Sequence, residues 1–153
     1  MRLAATSRRA VVAVIVLAAA ASIAGCGAPA SANRSSGPKS IGRCTSSRAK
    51  SAVTVDATNA LRFVPASICL RLDGTVTWTN TTTGHDHTTT DEPQFAATVG
   101  DATIPPGGHG WNLKLAPGRS ARLTFRKAGV YHYFCIPHET LGMVGVVNVL
   151  GAS

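Results

Sequence analysis

The chain has 153 residues, with 15 Lys or Arg against 7 Asp or Glu, a formal net charge of +8 and an apolar share of 44%. That length holds one domain of about 100 residues plus a leader. The basic residues form no helix, no recognisable nucleic-acid motif and no interleaved stacking platform, which excludes nucleic acid as a partner.

Residues 1–25 read as an export signal. Arg2, Arg8 and Arg9, with no acid among them, precede the small and apolar run Ala10 to Ala24, which is the layout of a secretory signal. The run is too short and too rich in alanine for a membrane span. Its end, Ile23-Ala24-Gly25-Cys26, resembles a bacterial lipobox, in which cleavage precedes the cysteine and the Cys26 thiol receives a diacylglyceryl group. Several acyl chains anchor a protein firmly where one holds it only marginally. The expected location is therefore extracytoplasmic, at the cell membrane, through an N-terminal lipid. Without the signal's three arginines the charge of +8 becomes +5. That moderately basic surface suits an acidic protein partner or an anionic lipid surface. Residues 26–50 are Ala, Ser, Gly, Pro and basic residues without apolar periodicity, the composition of a flexible tether.

From residue 51 to 153 the texture changes to short β-branched runs punctuated by Gly, Pro and Asn, with no helical period. Strands are predicted over Ala52–Ala57, Ala66–Leu72, Thr75–Asn80, Asp86–Thr90, Arg119–Phe125, Gly129–Cys135 and Met143–Leu150. Turns are predicted at Leu72-Asp73-Gly74, Ala116-Pro117-Gly118 and Lys127-Ala128-Gly129. The domain is expected to be all-β, a Greek-key sandwich or barrel of seven to eight strands. Gln94 to Asn112 is a long irregular connection containing Pro105-Pro106-Gly107-Gly108, and loops of that length are usually functional or variable insertions. In the Gly129–Cys135 strand a period of two puts Tyr131, Tyr133 and Cys135 on the core face, with Val130, His132 and Phe134 opposite.

Of the four cysteines, Cys26 is assigned to lipid and Cys135 to a metal motif. Cys44 and Cys69 remain, and in an oxidising compartment such a pair invites a disulfide. Closing it stabilises the fold by roughly 3 kcal/mol on the chain-entropy account. The competing reading leaves both as free buried thiols.

The segment Cys135-Ile136-Pro137-His138-Glu139-Thr140-Leu141-Gly142-Met143 places a thiolate, an imidazole and a thioether within nine residues. This mixture of ligands suits copper in both oxidation states. Two histidines and a cysteine with a long axial methionine are the blue-copper arrangement. A second imidazole is then required, and Gly84-His85-Asp86-His87 offers two. Gly129 to His138, followed by Gly142 to Val149, resembles the C-terminal copper loop of the plastocyanin and pseudoazurin branch of the cupredoxins. Phe63 to Ile68 and Gly74 to Asn80 resemble the strands before that family's first histidine.

The resemblance implies one type 1 copper ion, with Cys135 as thiolate ligand, His138 as imidazole and Met143 as weak axial ligand. Its first-histidine loop departs from the pattern, because plastocyanin-like spacing from Asn80 falls on Asp86. Glycine before the histidine favours His85; the strand that follows favours His87, the preferred ligand. The implied task is one-electron transfer to redox proteins that dock transiently on the monomer, at a His138 edge ringed by Ile136, Pro137, Leu141 and the proline-rich loop. The alternative is copper delivery or buffering. His109 and His132 fall outside the motif, and Trp78, Phe63, Tyr131 and Tyr133 read as core. No acid–base dyad, nucleophile elbow or open catalytic position is evident, so no enzyme is read.

Overall fold

The computed structural model describes residues 43–151. The export signal, Cys26 and most of the expected tether lie outside the described residues. Among those described there are eight strands: β1 (Lys50–Ala57), β2 (Phe63–Val64), β3 (Ser67–Asn80), β4 (His87–Thr90), β5 (Asn112–Leu115), β6 (Ser120–Phe125), β7 (Gly129–Phe134) and β8 (Val144–Leu150). The order β2-β1-β3-β8-β7-β4-β5, with β6 on β3, makes a β-sandwich whose two sheets share β3. The all-β expectation holds.

The sequence of β3 explains the join. Ser67 to Arg71 pairs with β8, whereas Gly74 to Thr79 pairs with β6. Residues four apart in an extended strand are separated by about 13 Å. A Cβ placed on Gly74 would nevertheless lie 2.6 Å from Leu70 Cγ, so the chain doubles back between them. Asp73 takes φ 60 at this point. The predicted turn is therefore real, and the two strands predicted on either side of it are the arms of β3.

Two strands were not predicted. β2 is only two residues long, and β5 follows directly on a Gly- and Pro-rich stretch that hides its short alternation. The expected tether also ends early. Arg48 and Ala49 donate backbone N–H bonds to Thr45 O, both at 2.9 Å. Ala49 is buried, and Arg71 Nε donates to its carbonyl at 3.1 Å. A disulfide joins Cys44 to Cys69 in β3. The covalent bridge and these bonds draw the end of the leader onto the sandwich, so the folded unit begins before residue 51.

Alternation in β7 buries Tyr131, Tyr133 and Cys135 as predicted. Phe134, expected on the outward face, is fully buried as well. That face is not open to solvent throughout, because the long connection returns across it and Thr103 pairs with His132. A Cβ on Gly129 would collide with Pro105 Cβ. Gly129 starts β7 and Cys135 follows its other end, about 20 Å away. The proline-rich loop therefore lies at the wrong end of β7 to ring His138, contrary to expectation.

Asp91 closes the long connection. Its Oδ1 accepts the Trp111 N–H at 2.7 Å, and its own N–H donates to Trp111 O at 3.2 Å. The side chain is fully buried, and Oδ2 has no hydrogen-bond partner among the described residues. Burial pushes its pKa up to about 7 from 3.8. The folded form thus holds this proton more tightly than the unfolded chain does. The stability it contributes is complete below about pH 4 and is lost as the pH rises to about 7. Asp91→Asn keeps an acceptor for Trp111 and removes the buried charge. The variant is expected to be more stable at pH 8 by roughly 2 kcal/mol, with a flatter profile between pH 4 and 7, as read by urea unfolding at each pH. An unchanged profile would show that Asp91 does not titrate in this window.

Candidate metal centre

β4 begins at His87, and β7 ends one residue before Cys135. The two strands pair through Thr90 and Phe134, which brings the imidazole-bearing strand alongside the thiol. After Cys135 a short 3-10 helix, Ile136–Leu141, opens with Pro137 and carries His138. Met143 then precedes β8. Main-chain bonds close this segment on itself: His138 N–H donates to Cys135 O at 3.0 Å, Met143 N–H to His138 O at 3.1 Å, and Cys135 N–H to Met143 O at 3.0 Å.

The donor atoms converge. His87 Nδ1 lies 3.2 Å from His138 Nδ1 and 3.6 Å from Cys135 Sγ, and His138 Nδ1 lies 3.3 Å from the same sulfur. A near-equilateral triangle of that size has its centre about 2 Å from each corner, the length of a metal–nitrogen bond. Met143 is fully buried in the same apolar cluster as Cys135. One thiol, two imidazoles and a nearby thioether form a donor set that fits copper. Cys135 is the free thiol among the described residues, so it takes no part in a disulfide.

His85 stays outside the triangle. Its side chain is exposed, and what the protein grips is its backbone: Asn80 Nδ2 and Thr82 Oγ1 donate to His85 O at 2.7 and 2.9 Å. Asn80, fully buried, also donates to Leu115 O at 2.8 Å and accepts the Thr82 backbone N–H at 2.9 Å. One amide thus fixes the loop that delivers His87. His109 and His132 also stand outside the three-residue group.

Three supporting residues were not singled out from the sequence. Asn80 had a signal, because it continues the inward alternation of Val76 and Trp78 and a polar side chain there must be satisfied. Thr88 and Glu139 had none. The Thr88 N–H points at Cys135 Sγ at 3.3 Å, and its hydroxyl accepts the Ile136 N–H at 2.8 Å. The Glu139 carboxylate, buried beside His138, accepts the N–H groups of Ala97 and Thr98, both at 2.8 Å.

Burial raises the Cys135 thiol pKa, and the Thr88 bonds offset this only in part. Burial, then the charges of His138 and His85, lowers the His87 imidazole pKa; burial, then His85, lowers that of His138. All three donors are therefore uncharged at neutral pH before a metal arrives.

Residues 49–150 match the sequence profile described as copper binding proteins, plastocyanin/azurin family. A chloroplastic plastocyanin of Tetradesmus obliquus is 39% identical over 90 residues, which span 59% of this chain and 59% of that protein. A plastocyanin of Scenedesmus fuscus is 34% identical over 95 residues, spanning 59% of this chain and 88% of its own length. Among solved structures, an amicyanin aligns at 25% identity with a TM-score of 0.49, covering 67% of this chain and 85% of its own. A reduced auracyanin of Roseiflexus castenholzii aligns at 22% identity and the same TM-score of 0.49, covering 67% and 98%.

A neutral thiol between neutral imidazoles predicts the proton balance of metal uptake. Loading Cu(I) at pH 7 should release about one proton per ion, from Cys135. Calorimetric titration in two buffers of different ionisation enthalpy measures this number; a value near zero would mean that the thiol is already ionised.

Proposed function

The chain belongs to the plastocyanin/azurin family of copper-binding proteins, the cupredoxins, and on that premise we propose that it is a blue copper one-electron carrier working at the outer face of a membrane. Its cofactor is copper, one type 1 ion. The observation that carries the proposal is the convergence of His87, Cys135 and His138 within 4.8 Å on a β scaffold. In our reading these three and Met143 would hold the ion. The bound ion supplies a one-electron Cu(II)/Cu(I) couple.

What the chain itself contributes is rigidity. Asn80 fixes the approach to His87, Thr88 joins that strand to the sulfur, and Glu139 ties the turn beside His138 to residues 97 and 98. Donors held this firmly move little when the charge changes, which keeps electron transfer fast. Burial of His87 and Cys135 also suits retention of the ion better than its release, which favours the carrier over copper delivery. His138 is only half-buried, and Ile136 and Leu141 in the same loop are 37% and 56% exposed. This edge is the proposed exit for the electron, and a small apolar contact here suits transient docking of a redox protein on the monomer.

The proposal for location rests on the leader: export through residues 1–25, lipid on Cys26 and a tether from there to the folded unit. Two experiments test these readings. His87→Ala is expected to abolish the intense blue charge-transfer band of the copper-loaded protein, whereas His85→Ala leaves it largely intact; a colourless wild-type protein, or a blue His87→Ala variant, defeats the ligand assignment. Cys26→Ser should shift the protein from the membrane fraction to the soluble extracytoplasmic fraction, and a protein that stays with the membrane would exclude the lipid anchor.

A further inference from the structure

Arg62 stands at the end of a tight turn between β1 and β2. Leu61 N–H donates to Thr58 O at 3.0 Å, and Thr58 donates both its N–H and its hydroxyl to Arg62 O at 3.0 Å. Leu61 takes φ 55, a left-handed conformation that a side chain with a Cβ enters only at a cost. The strain sets the direction of the next residue. Arg62 Nη1 donates to Leu61 O at 2.7 Å and to Leu141 O at 2.8 Å. Leu141 ends the helix that carries His138, so this guanidinium is fastened to the metal loop.

Both bonds use Nη1. Nε and Nη2 have no partner among the described residues, although they form the edge of a guanidinium that grips a carboxylate through two parallel hydrogen bonds. Nη2 lies over Gly142, where an added Cβ would be 3.6 Å away. Beside it Leu141 is 56% exposed and Val64 52% exposed. An oriented cation with one edge open is thus set in apolar surface, next to the loop of the half-buried imidazole.

We propose that Arg62 anchors a redox partner that presents an aspartate or glutamate carboxylate within an apolar surface. This deepens the electron-carrier reading and rests on it. A single exposed ion pair is ordinarily worth little, because two long side chains must be immobilised in water. Two carbonyls already hold Arg62, and apolar neighbours on both proteins exclude water from the pair, so both costs fall. Arg122, in β6, differs. Among the described residues the Arg122 side chain reaches only the Thr77 hydroxyl, at 3.4 Å, and it lies exposed on β6, where it adds to the general positive field.

The test uses the full, copper-loaded chain with Arg62→Gln, Arg62→Lys and Arg122→Gln variants, whose blue bands report an intact site. Stopped-flow rates are measured with two tris-bipyridine complexes of one metal, one bearing carboxylates and the other neutral amides. The carboxylate-to-amide rate ratio should fall about fivefold in Arg62→Gln, less in Arg62→Lys, and stay unchanged in Arg122→Gln. Equal slowing with both probes in Arg62→Gln, or an equal fall in the ratio in Arg122→Gln, overturns the proposal. In the copper-free protein, sodium acetate should shift the Arg62 Nε–H resonance more than sodium chloride of equal ionic strength does. No selective shift overturns the anchor directly. A selective shift in a protein that cycles with neither probe supports the anchor and defeats the carrier reading alone.

Discussion

Two hydrogen bonds at Thr88 hold the metal centre together. Its N–H reaches the Cys135 sulfur and its hydroxyl takes the Ile136 N–H, so the strand that begins with one imidazole is bound to the loop that carries the thiol and the other imidazole. The segments involved are 47 residues apart in sequence. Without this junction β4 and β7 would be joined by a single residue pair, Thr90 with Phe134. Bonding to sulfur does a second job, because an N–H aimed at a thiolate favours the charged form that a metal needs.

Around that junction the protein spends buried polar groups where they restrict motion. Asn80 uses its amide on both sides of the first-histidine loop, and the Glu139 carboxylate is satisfied by two backbone amides rather than by a cation. Partners of this kind are short, directional and have little freedom to rearrange. The aromatic interior beneath completes the support. The Tyr133 ring centroid lies 4.8 Å from that of Phe63 and 5.5 Å from that of Trp78, and Tyr133 is two residues before Cys135 on the same face of β7.

The parts legible in the sequence are the local ones. Cys135, His138 and Met143 fall within one loop, and residue types at that spacing carry their chemistry with them. The turn at Asp73-Gly74 and the inward set of β7 follow from glycine placement and period two. The preference for His87 over His85 had only the strand after it for support, since both flank Asp86; the structure adds that Asn80 bonds to the main chain of His85 while the His87 ring enters the core. Nothing local marks Glu139 as a buried acid, because its partners, Ala97 and Thr98, lie about forty residues away. The prolines at 105 and 106 misled for a similar reason: composition marks a loop, but only its contact with Gly129 says which end of the sandwich it covers.

The Cys44–Cys69 bridge also decides how mechanical force would enter the domain. A pull on the leader passes through a covalent bond into β3 at a residue paired with Asn148 of β8, about 17 Å along the strand from Met143. Tension is thereby shared between two interior strands in shear, remote from Cys135 and His138. Strain on the leader can load the frame while the far end keeps its geometry.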